Sequence, residues 1–208
     1  MLTFNDREIA NALVEALVEY GLNDHLAQCG NQSTYSWFYE NNMSQFGFWS
    51  SGGATKTCIG HEDLCGWVIK VGHTVDVKYN YARMEYENYR AAKEQGLQRY
   101  FPETYYLGDF GGQSYFIQQE ADCDEDQVTS DWYEKLRDGY EEDGEDYDVD
   151  RIWDEVYDLD DGDKVMITFH NLELWDFLCD HRINDLHEGN FGYIRGCTVI
   201  VDFSGFRG

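Results

Sequence analysis

The sequence predicts an α+β fold, in which a small antiparallel sheet with one helix precedes a reduced helical region. Short strand patterns separated by glycine turns run from Phe48 to Val71, and two more lie at Tyr105–Gly108 and Gln113–Gln119. A helical pattern at Tyr79–Gln95 separates the two groups of strands. At Lys164–Asp180 apolar residues recur at helical spacing, which predicts a further helix.

The chain begins with a predicted amphipathic helix over Asn5–Tyr20. Asn5 can cap its first turn, and Glu8 three residues later completes a capping-box pattern. Gly21 is expected to end the helix. The predicted apolar face comprises Ile9, Leu13, Leu17 and Tyr20. The segment from Asn31 to Phe48 gives no clear pattern.

Within the first group of strands, glycine-rich and polar residues divide the pattern into three. Ser50–Thr55 is the first predicted turn and His61–Asp63 the second, because Gly, Ser and Asp favour turn conformations. Thr57–Ile59 and Gly66–Val71 are the strands that follow these turns.

The composition indicates a folded and strongly acidic protein. Hydrophobic residues make up 42% and aromatic residues 16% of the 208 residues, which suffices for a core. The formal net charge of −26 argues against sequence-independent nucleic-acid binding, which needs lysine and arginine to neutralise phosphates. Apolar runs fall short of the roughly 18 residues of a membrane span, and the N-terminus lacks a signal-peptide pattern. Six cysteines without Cys-x-x-Cys pairs predict reduced thiols and a cytoplasmic location.

Acidic residues are concentrated in one segment. Between Glu120 and Asp163 lie 21 of the 41 acidic residues and three basic ones. Apolar and aromatic residues recur there, so Val128–Tyr140 and Val149–Tyr157 are predicted to be acidic amphipathic helices. Three interpretations stay open: a solvated face, a docking surface for a basic partner, or mimicry of a polyanion.

Five short motifs follow one another along the chain. They are the turn Ser50–Lys56, Lys70 in Trp67-Val68-Ile69-Lys70, Glu85 in a helix, the loop Asp185-Leu186-His187-Glu188-Gly189-Asn190, and Asp202 after the strand Thr198–Val201. Glycines let backbone N–H groups approach phosphates, a strand lysine provides a fixed ammonium, and Asp and Asn oxygens suit magnesium. Taken in this order, the motifs resemble those of the protein-kinase-like fold, and the resemblance covers about Ser50 to Gly205.

The resemblance implies a two-lobed fold whose first lobe binds ATP. Lys70 looks like the third-strand lysine that pairs with ATP phosphates. Glu85 is its favoured helix partner, and Glu87, on a different helix face, is the rival. Further nucleotide contacts are implied for the turn residues Gly52, Gly53, Ala54, Thr55 and Lys56, with Lys56 as a second cation, and for Gln119 and Glu120.

The later motifs imply which residues act as the catalytic base and as the magnesium ligands. Asp185 looks like the base that orients the acceptor hydroxyl, and Asn190 and Asp202 look like ligands of magnesium. The spacing from Asn190 to Asp202 suits a short hairpin that returns to the same metal. The residue pattern of the loop is closer to that of small-molecule kinases and of short phage-type or mobile-element kinases than to the eukaryotic His-Arg-Asp pattern. Asp202 begins Asp-Phe-Ser-Gly instead of Asp-Phe-Gly.

Three regions are expected. Residues 1–47 form an N-terminal helix and extension, 48–120 a nucleotide-binding lobe with the sheet and one helix, and 121–208 a minimal acidic helical lobe with the catalytic loop. Conventional protein kinases continue beyond the equivalent of Gly208, so their peptide platform is expected to be missing or supplied by another chain.

Three functions fit this pattern. The foremost is a minimal Mg-ATP-dependent phosphotransferase acting on Ser/Thr of proteins, its own chain included. The second is a catalytically weak kinase-fold protein whose acidic surface binds a basic partner or mimics a polyanion. The third is a small-molecule kinase whose acidic face suits a cationic substrate. The expected partners are ATP, Mg²⁺ and a protein substrate or basic protein, without direct contact to nucleic acid or membrane.

Overall fold

The computed structural model shows a mixed α+β protein and describes residues 1–29, 34–52, 55–123, 172–183, 190–195 and 197–205. Within these residues the helices are α1 Phe4–Glu19, α2 Leu22–Cys29, α3 Tyr35–Glu40, α4 Tyr81–Glu94 and α5 Leu172–Asp180. The strands are β1 Phe48–Gly52, β2 Lys56–His61, β3 Trp67–Gly72, β4 Thr104–Phe110, β5 Gln113–Gln119, β6 Phe191–Ile194 and β7 Cys197–Ile200. Short 3₁₀ turns lie at Met43–Phe46, Val77–Tyr79 and Gln98–Tyr100.

The predicted strands before residue 120 and the helix between them are confirmed, each to within a few residues. The segment that gave no clear pattern contains α3 and a 3₁₀ turn. Of the helix predicted at Lys164–Asp180, the described part is helical from Leu172 onwards. The two acidic helices predicted at Val128–Tyr140 and Val149–Tyr157 lie outside the described residues.

Helix α1 begins earlier than predicted, and the expected Asn5 cap is wrong. Thr3 is the N-cap: its hydroxyl accepts a hydrogen bond from the Asp6 N–H at 3.1 Å, and the Asp6 carboxylate accepts one from the Thr3 N–H at 2.9 Å. Thr3-x-x-Asp6 and Asn5-x-x-Glu8 both fit the capping-box pattern. The box at Thr3 satisfies two backbone N–H donors and lengthens the helix by two residues, so the helix begins directly after Thr3.

The fully buried stripe of α1 only partly matches the predicted apolar face, because Ile9 and Leu13 are partly buried and pack against the core. Ala10, Val14 and Leu17 are fully buried at helical spacing. Tyr20, which was expected on this face, is 50% exposed because it is the C-cap residue and the helix has already ended at Glu19. Gly21 follows with φ +92°, the left-handed conformation that glycine adopts at helix ends.

Five strands form one antiparallel sheet in the order β1-β2-β3-β5-β4. Successive hairpins join β1 to β2, β2 to β3 and β4 to β5, and α4 lies in the connection from β3 to β4. Strand β3 is central, with Lys70 opposite Cys58 of β2 on one side and Phe116 of β5 on the other. This position buries every residue of β3.

The two faces of the sheet are covered by different elements. Alternate residues such as Ile59, Ile69 and Ile117 form one apolar core with the N-terminal helices. Each such side chain, once fully buried, contributes about 1.5–3 kcal/mol. Helix α4 packs on the opposite face, where the ring centroid of its Tyr86 lies 5.5 Å from that of Phe116. Lys70 lies on this second face.

The chain divides into two compact units, one of Met1–Arg90 with Glu103–Glu120 and one of Ala91–Pro102 with Ala121–Gly208. Residues 1–47 therefore share a unit with the sheet, and 91–102 join the later residues. Cys65, Cys179 and Cys197 are exposed free thiols. In the described part of the chain no helix has the length and apolarity needed to cross a membrane.

The second unit contains a helix, a two-stranded hairpin and an aromatic cluster. In α5, Leu174, Phe177 and Leu178 are buried. Strands β6 and β7 pair antiparallel, and β6 also exchanges two backbone hydrogen bonds between Tyr193 and Asp122, at 2.7 and 2.9 Å. These pairings tie the hairpin to the segment that follows residue 120.

Candidate functional site

Lys70 is a buried lysine at the centre of the sheet. Its neighbours Val68, Ile69 and Val71 are apolar β-formers that hold the strand in place. The residue is only 4% exposed. A buried ammonium is costly unless it is paired and hydrogen-bonded, so its partner decides what the site can do.

That partner is Glu85. Its Oε2 lies 2.7 Å from Nζ of Lys70, and its side chain is fully buried. Glu87, the rival predicted from the sequence, is exposed. The two glutamates are two positions apart on a helix, so they face different directions, and only one can face the sheet.

Asn80 fixes the start of the helix that carries Glu85. The Asn80 side-chain oxygen accepts a hydrogen bond from the N–H of Arg83 at 3.0 Å, as an N-cap does. Asn80 also packs on Gly72, where a Cβ atom would lie 2.4 Å from the Asn80 Oδ1. A glycine at the end of β3 therefore lets the helix begin close to the sheet.

Lys56 also pairs with Glu85. Its Nζ lies 3.2 Å from Oε1 of Glu85, and its side chain is 8% exposed. Lys56, predicted from the sequence to be a second cation in the glycine turn, is the first residue of β2 and faces α4. One carboxylate thus contacts a lysine through each of its oxygens.

Gln118 also belongs to this polar cluster and was not among the residues predicted from the sequence. Its amide nitrogen lies 3.4 Å from Oε2 of Glu85 and 3.1 Å from the hydroxyl of Thr104. The residue is 2% exposed and stands opposite Val68, two positions before Lys70. Strand periodicity would have placed Gln118 on the face of Lys70 once the pairing of β3 with β5 was known.

The predicted phosphate-binding turn is described in part. Gly52 ends β1, and Thr55 precedes β2, while Gly53 and Ala54 lie outside the described residues. The carbonyl of Thr55 accepts a hydrogen bond from the N–H of His73 at 3.0 Å. The His73 ring is also 2.8 Å from the hydroxyl of Thr57. These bonds hold the end of the turn against the extension of β3.

Gln119 and Glu120, predicted to contact the nucleotide, both have backbone N–H groups that are bonded within the protein. The N–H of Gln119 donates to the carbonyl of Glu103 at 2.8 Å, and that of Glu120 to the carbonyl of Gly66 at 2.9 Å. Both backbone donors are therefore used within the protein. A nucleotide at these two residues would have to be recognised by carbonyl or side-chain groups.

Asn190 and Asp202 both lie at the open end of the β6–β7 hairpin, Asn190 just before β6 and Asp202 two residues after β7. Phe191 pairs with Ile200, and the carbonyl of Asn190 accepts a hydrogen bond from the N–H of Val201 at 2.9 Å. The short hairpin that the spacing predicts is confirmed. Asn190 is buried and Asp202 half-buried. Asp185, the predicted base, lies outside the described residues.

Aromatic packing fixes the segment that carries Asp202. The next residue, Phe203, is 1% exposed, and its ring centroid lies 4.9 Å from that of Phe101. The hydroxyl of Ser204 donates to Oδ1 of Asp202 at 3.2 Å. Gly205 has φ +75°, and a Cβ there would lie 2.6 Å from the carbonyl oxygen of His181. Asp-Phe-Ser-Gly thus places its glycine where both conformation and space require one.

The donor set at this hairpin suits magnesium. Amide and carboxylate oxygens are hard ligands, and protein-bound magnesium commonly uses one or two carboxylates together with phosphate oxygens and water. Among the residues that the structure describes, no group of three or more His, Cys, Asp or Glu is arranged to hold a metal ion. In this part of the chain the hairpin end offers one amide oxygen and one carboxylate, from Asn190 and Asp202.

Comparisons with protein-family models, with curated proteins and with solved structures each found no match to this chain. In the first unit the candidate site residues form a buried cluster of two lysines, one glutamate and one glutamine. In the second they form a hairpin end with two oxygen-bearing side chains.

Proposed function

We propose that this protein is a Mg-ATP-dependent phosphotransferase with a protein-kinase-like fold, and that it transfers phosphate to Ser/Thr hydroxyls of proteins, its own chain included. The observation that carries the proposal is the buried Lys70–Glu85 ion pair, which joins the central strand of a five-stranded antiparallel sheet to helix α4. Phosphoryl transfer depends on positioning and on electrostatic stabilisation, and a fixed lysine supplies both.

In the proposed reaction Lys70 contacts phosphate oxygens of the nucleotide. Glu85 holds the lysine side chain in one orientation, so that the ammonium needs little reorganisation when charge develops on the phosphates. Burial of the pair excludes water, and the interaction of the ammonium with phosphate is stronger there than in bulk solvent. Gln118 fixes the Glu85 carboxylate from a second direction.

Asp185 is proposed as the residue that orients the acceptor hydroxyl and takes its proton. Asn190 and Asp202 are the residues that would hold magnesium, which would neutralise charge on the phosphates. The hairpin register, which joins the backbones of Asn190 and Val201, supports this assignment. Phe203 supports it as well, because it anchors the residue next to Asp202.

The test is transfer of labelled γ-phosphate from ATP to the protein itself and to a panel of acceptor proteins in Mg²⁺. Wild type should label protein, and Asp185→Ala should lower the rate by at least about a hundredfold, since the base and its positioning are both lost. Asp63→Ala, which removes an exposed aspartate from the turn between β2 and β3, is the matched control and should label normally.

Thermal unfolding with and without Mg-ATP separates binding from catalysis. A ligand that binds the folded state raises the melting temperature by mass action. Wild type should be stabilised, and Asp202→Ala should be stabilised less. Absence of any shift in wild type would refute the nucleotide site, and labelling that persists in Asp185→Ala would refute the proposed base.

The acidic composition favours a second candidate, an interaction protein that uses its negative surface to bind a basic partner. The net charge of −26 and the concentration of acidic residues between Glu120 and Asp163 are the observations behind it. In that case Asp185→Ala would leave partner binding unchanged, whereas replacing acidic residues of this segment by lysine would abolish it. Pull-down of a basic protein with both variants distinguishes the two functions.

A further inference from the structure

Glu85 holds two lysines at once, one through each carboxylate oxygen. Nζ of Lys56 lies 3.2 Å from Oε1, and Nζ of Lys70 lies 2.7 Å from Oε2. The exposed fractions of the three side chains are 8%, 5% and 0% for Lys56, Lys70 and Glu85. Two ammonium groups are therefore held at one place by a carboxylate that has itself almost no contact with water.

Strand register explains why both lysines reach the same carboxylate. Lys56 stands opposite Gly72, and Cys58 stands opposite Lys70, so the lysines are diagonal neighbours on adjacent antiparallel strands. Diagonal neighbours on one face have Cβ atoms about 7–8 Å apart, within reach of long side chains. Lys56 also follows the glycine turn directly, because β1 ends at Gly52 and β2 begins at Lys56.

Two of these three charged groups are cations and one is an anion, so the set carries a net positive charge, which favours an anionic ligand such as a phosphate chain. A chain of two or three phosphates can engage two separated cations at once, whereas a single phosphate has fewer oxygens and less charge to share between them. A purely structural lysine would instead affect every ligand equally, whatever its number of phosphates.

From this geometry we infer that Lys56 is a second phosphate-binding residue, positioned together with Lys70 by Glu85, and that the site selects polyphosphates over monophosphates. The inference rests on the proposed nucleotide site and specifies which part of the nucleotide that site recognises. Lys70 and Lys56 contact different phosphate groups of the same chain. Glu85 is a positioning residue for both.

The experiment is calorimetric titration of wild type, Lys56→Met and Lys56→Arg with Mg-ATP, AMP and inorganic tripolyphosphate. Lys93→Met is the matched control, since it removes the same charge from an exposed position of α4. Lys56→Met should weaken Mg-ATP and tripolyphosphate binding by roughly 10- to 100-fold, the usual effect of losing a hydrogen bond to a charged group. AMP binding should change by less than about threefold. Lys93→Met should bind all three ligands as wild type does.

Lys56→Arg keeps a cation beside Glu85 and should recover most of the polyphosphate affinity, which shows that charge and not misfolding explains the Lys56→Met result. An equal loss of AMP and ATP affinity, or unchanged polyphosphate binding in Lys56→Met, overturns the inference. Wild type that binds no polyphosphate overturns both the inference and the proposed function. Lys56-dependent binding of tripolyphosphate without any phosphate transfer from ATP retains the inference and removes the kinase.

Discussion

Glu85 accepts a hydrogen bond from Lys70 at 2.7 Å, and the two side chains are 0% and 5% exposed. Removing one partner of a buried ion pair leaves an uncompensated charge, which costs about 3–5 kcal/mol. Glu85→Gln should destabilise the protein by about this amount, because Lys56 also loses a carboxylate contact. Urea unfolding followed by circular dichroism measures the change.

Two further variants test the cause of that loss. Glu87→Gln removes the same charge from an exposed position of the same helix and should stay within about 0.5 kcal/mol of wild type. Lys56→Met in the Glu85→Gln background should restore part of the stability, since it removes one of two like charges in a buried place. If Glu85→Gln and Glu87→Gln were equally stable, the buried cluster would contribute nothing.

The pair itself could be anticipated from the sequence, but its geometry could not. Apolar β-formers before Lys70 predict a buried strand, and the helical pattern after it predicts one helix that returns to the sheet. Choosing between Glu85 and Glu87 required the rotation of α4, which tertiary packing sets. The contact of Lys56 with Glu85 required the pairing register of β2 and β3, which no local pattern contains.

The N-terminus shows a different limit of sequence analysis. Thr3-x-x-Asp6 and Asn5-x-x-Glu8 fit the same capping-box pattern, so the pattern alone does not choose between them. The hairpin between Asn190 and Asp202 was predicted from the spacing of these two residues, and the antiparallel pairing of β6 with β7 confirms it.

Gly60 should be intolerant of any side chain, because Trp49 fills the space above it. A Cβ at this position would lie 1.9 Å from Cε2 of Trp49. Gly60→Ala should therefore cost about 1–3 kcal/mol, the usual range for overpacking. The ring, now 45% exposed, should move and change its fluorescence. Unfolding curves and emission spectra measure both effects.

The double variant Trp49→Ala/Gly60→Ala identifies the source of that cost. Once the ring is gone, adding the Gly60 methyl group to Trp49→Ala should cost less than adding it to wild type, as coupled neighbours behave in a mutant cycle. Additive losses would mean that the methyl group conflicts with the strand backbone and not with Trp49.

Stability should fall at alkaline pH through Tyr89. Burial, and then the negative charge of Glu103, raise the pKa of Tyr89 to about 12. The unfolded chain ionises near pH 10, so between pH 10 and 12 the unfolded state holds fewer protons than the folded one, and stability decreases as pH rises. This residue adds at most roughly 1.4 kcal/mol per pH unit to the slope.

Urea unfolding at several pH values between 9.5 and 11.5 tests the origin of this slope. Tyr89→Phe should flatten it, whereas Tyr39→Phe, which changes a tyrosine that is 77% exposed, should not. A part of the slope should persist in Tyr89→Phe, because burial also raises the pKa of Tyr105 and of Tyr115. Equal slopes in the two variants would contradict the assignment to Tyr89.

Phe203 should couple the stability of its unit to the position of Asp202. The ring is 1% exposed and packs 4.9 Å from Phe101, whose ring is in turn 5.6 Å from Phe177. Phe203→Ala should cost about 3–5 kcal/mol, whereas Phe4→Ala, at a position 78% exposed, should cost less than about 0.5 kcal/mol.

Phe203→Leu should keep the fold and still reduce the thermal shift given by Mg-ATP, because a smaller side chain holds the neighbouring Asp202 less firmly. A full Mg-ATP shift in Phe203→Leu, together with a reduced one in Asp202→Ala, would show that the aromatic cluster stabilises the unit without positioning the carboxylate.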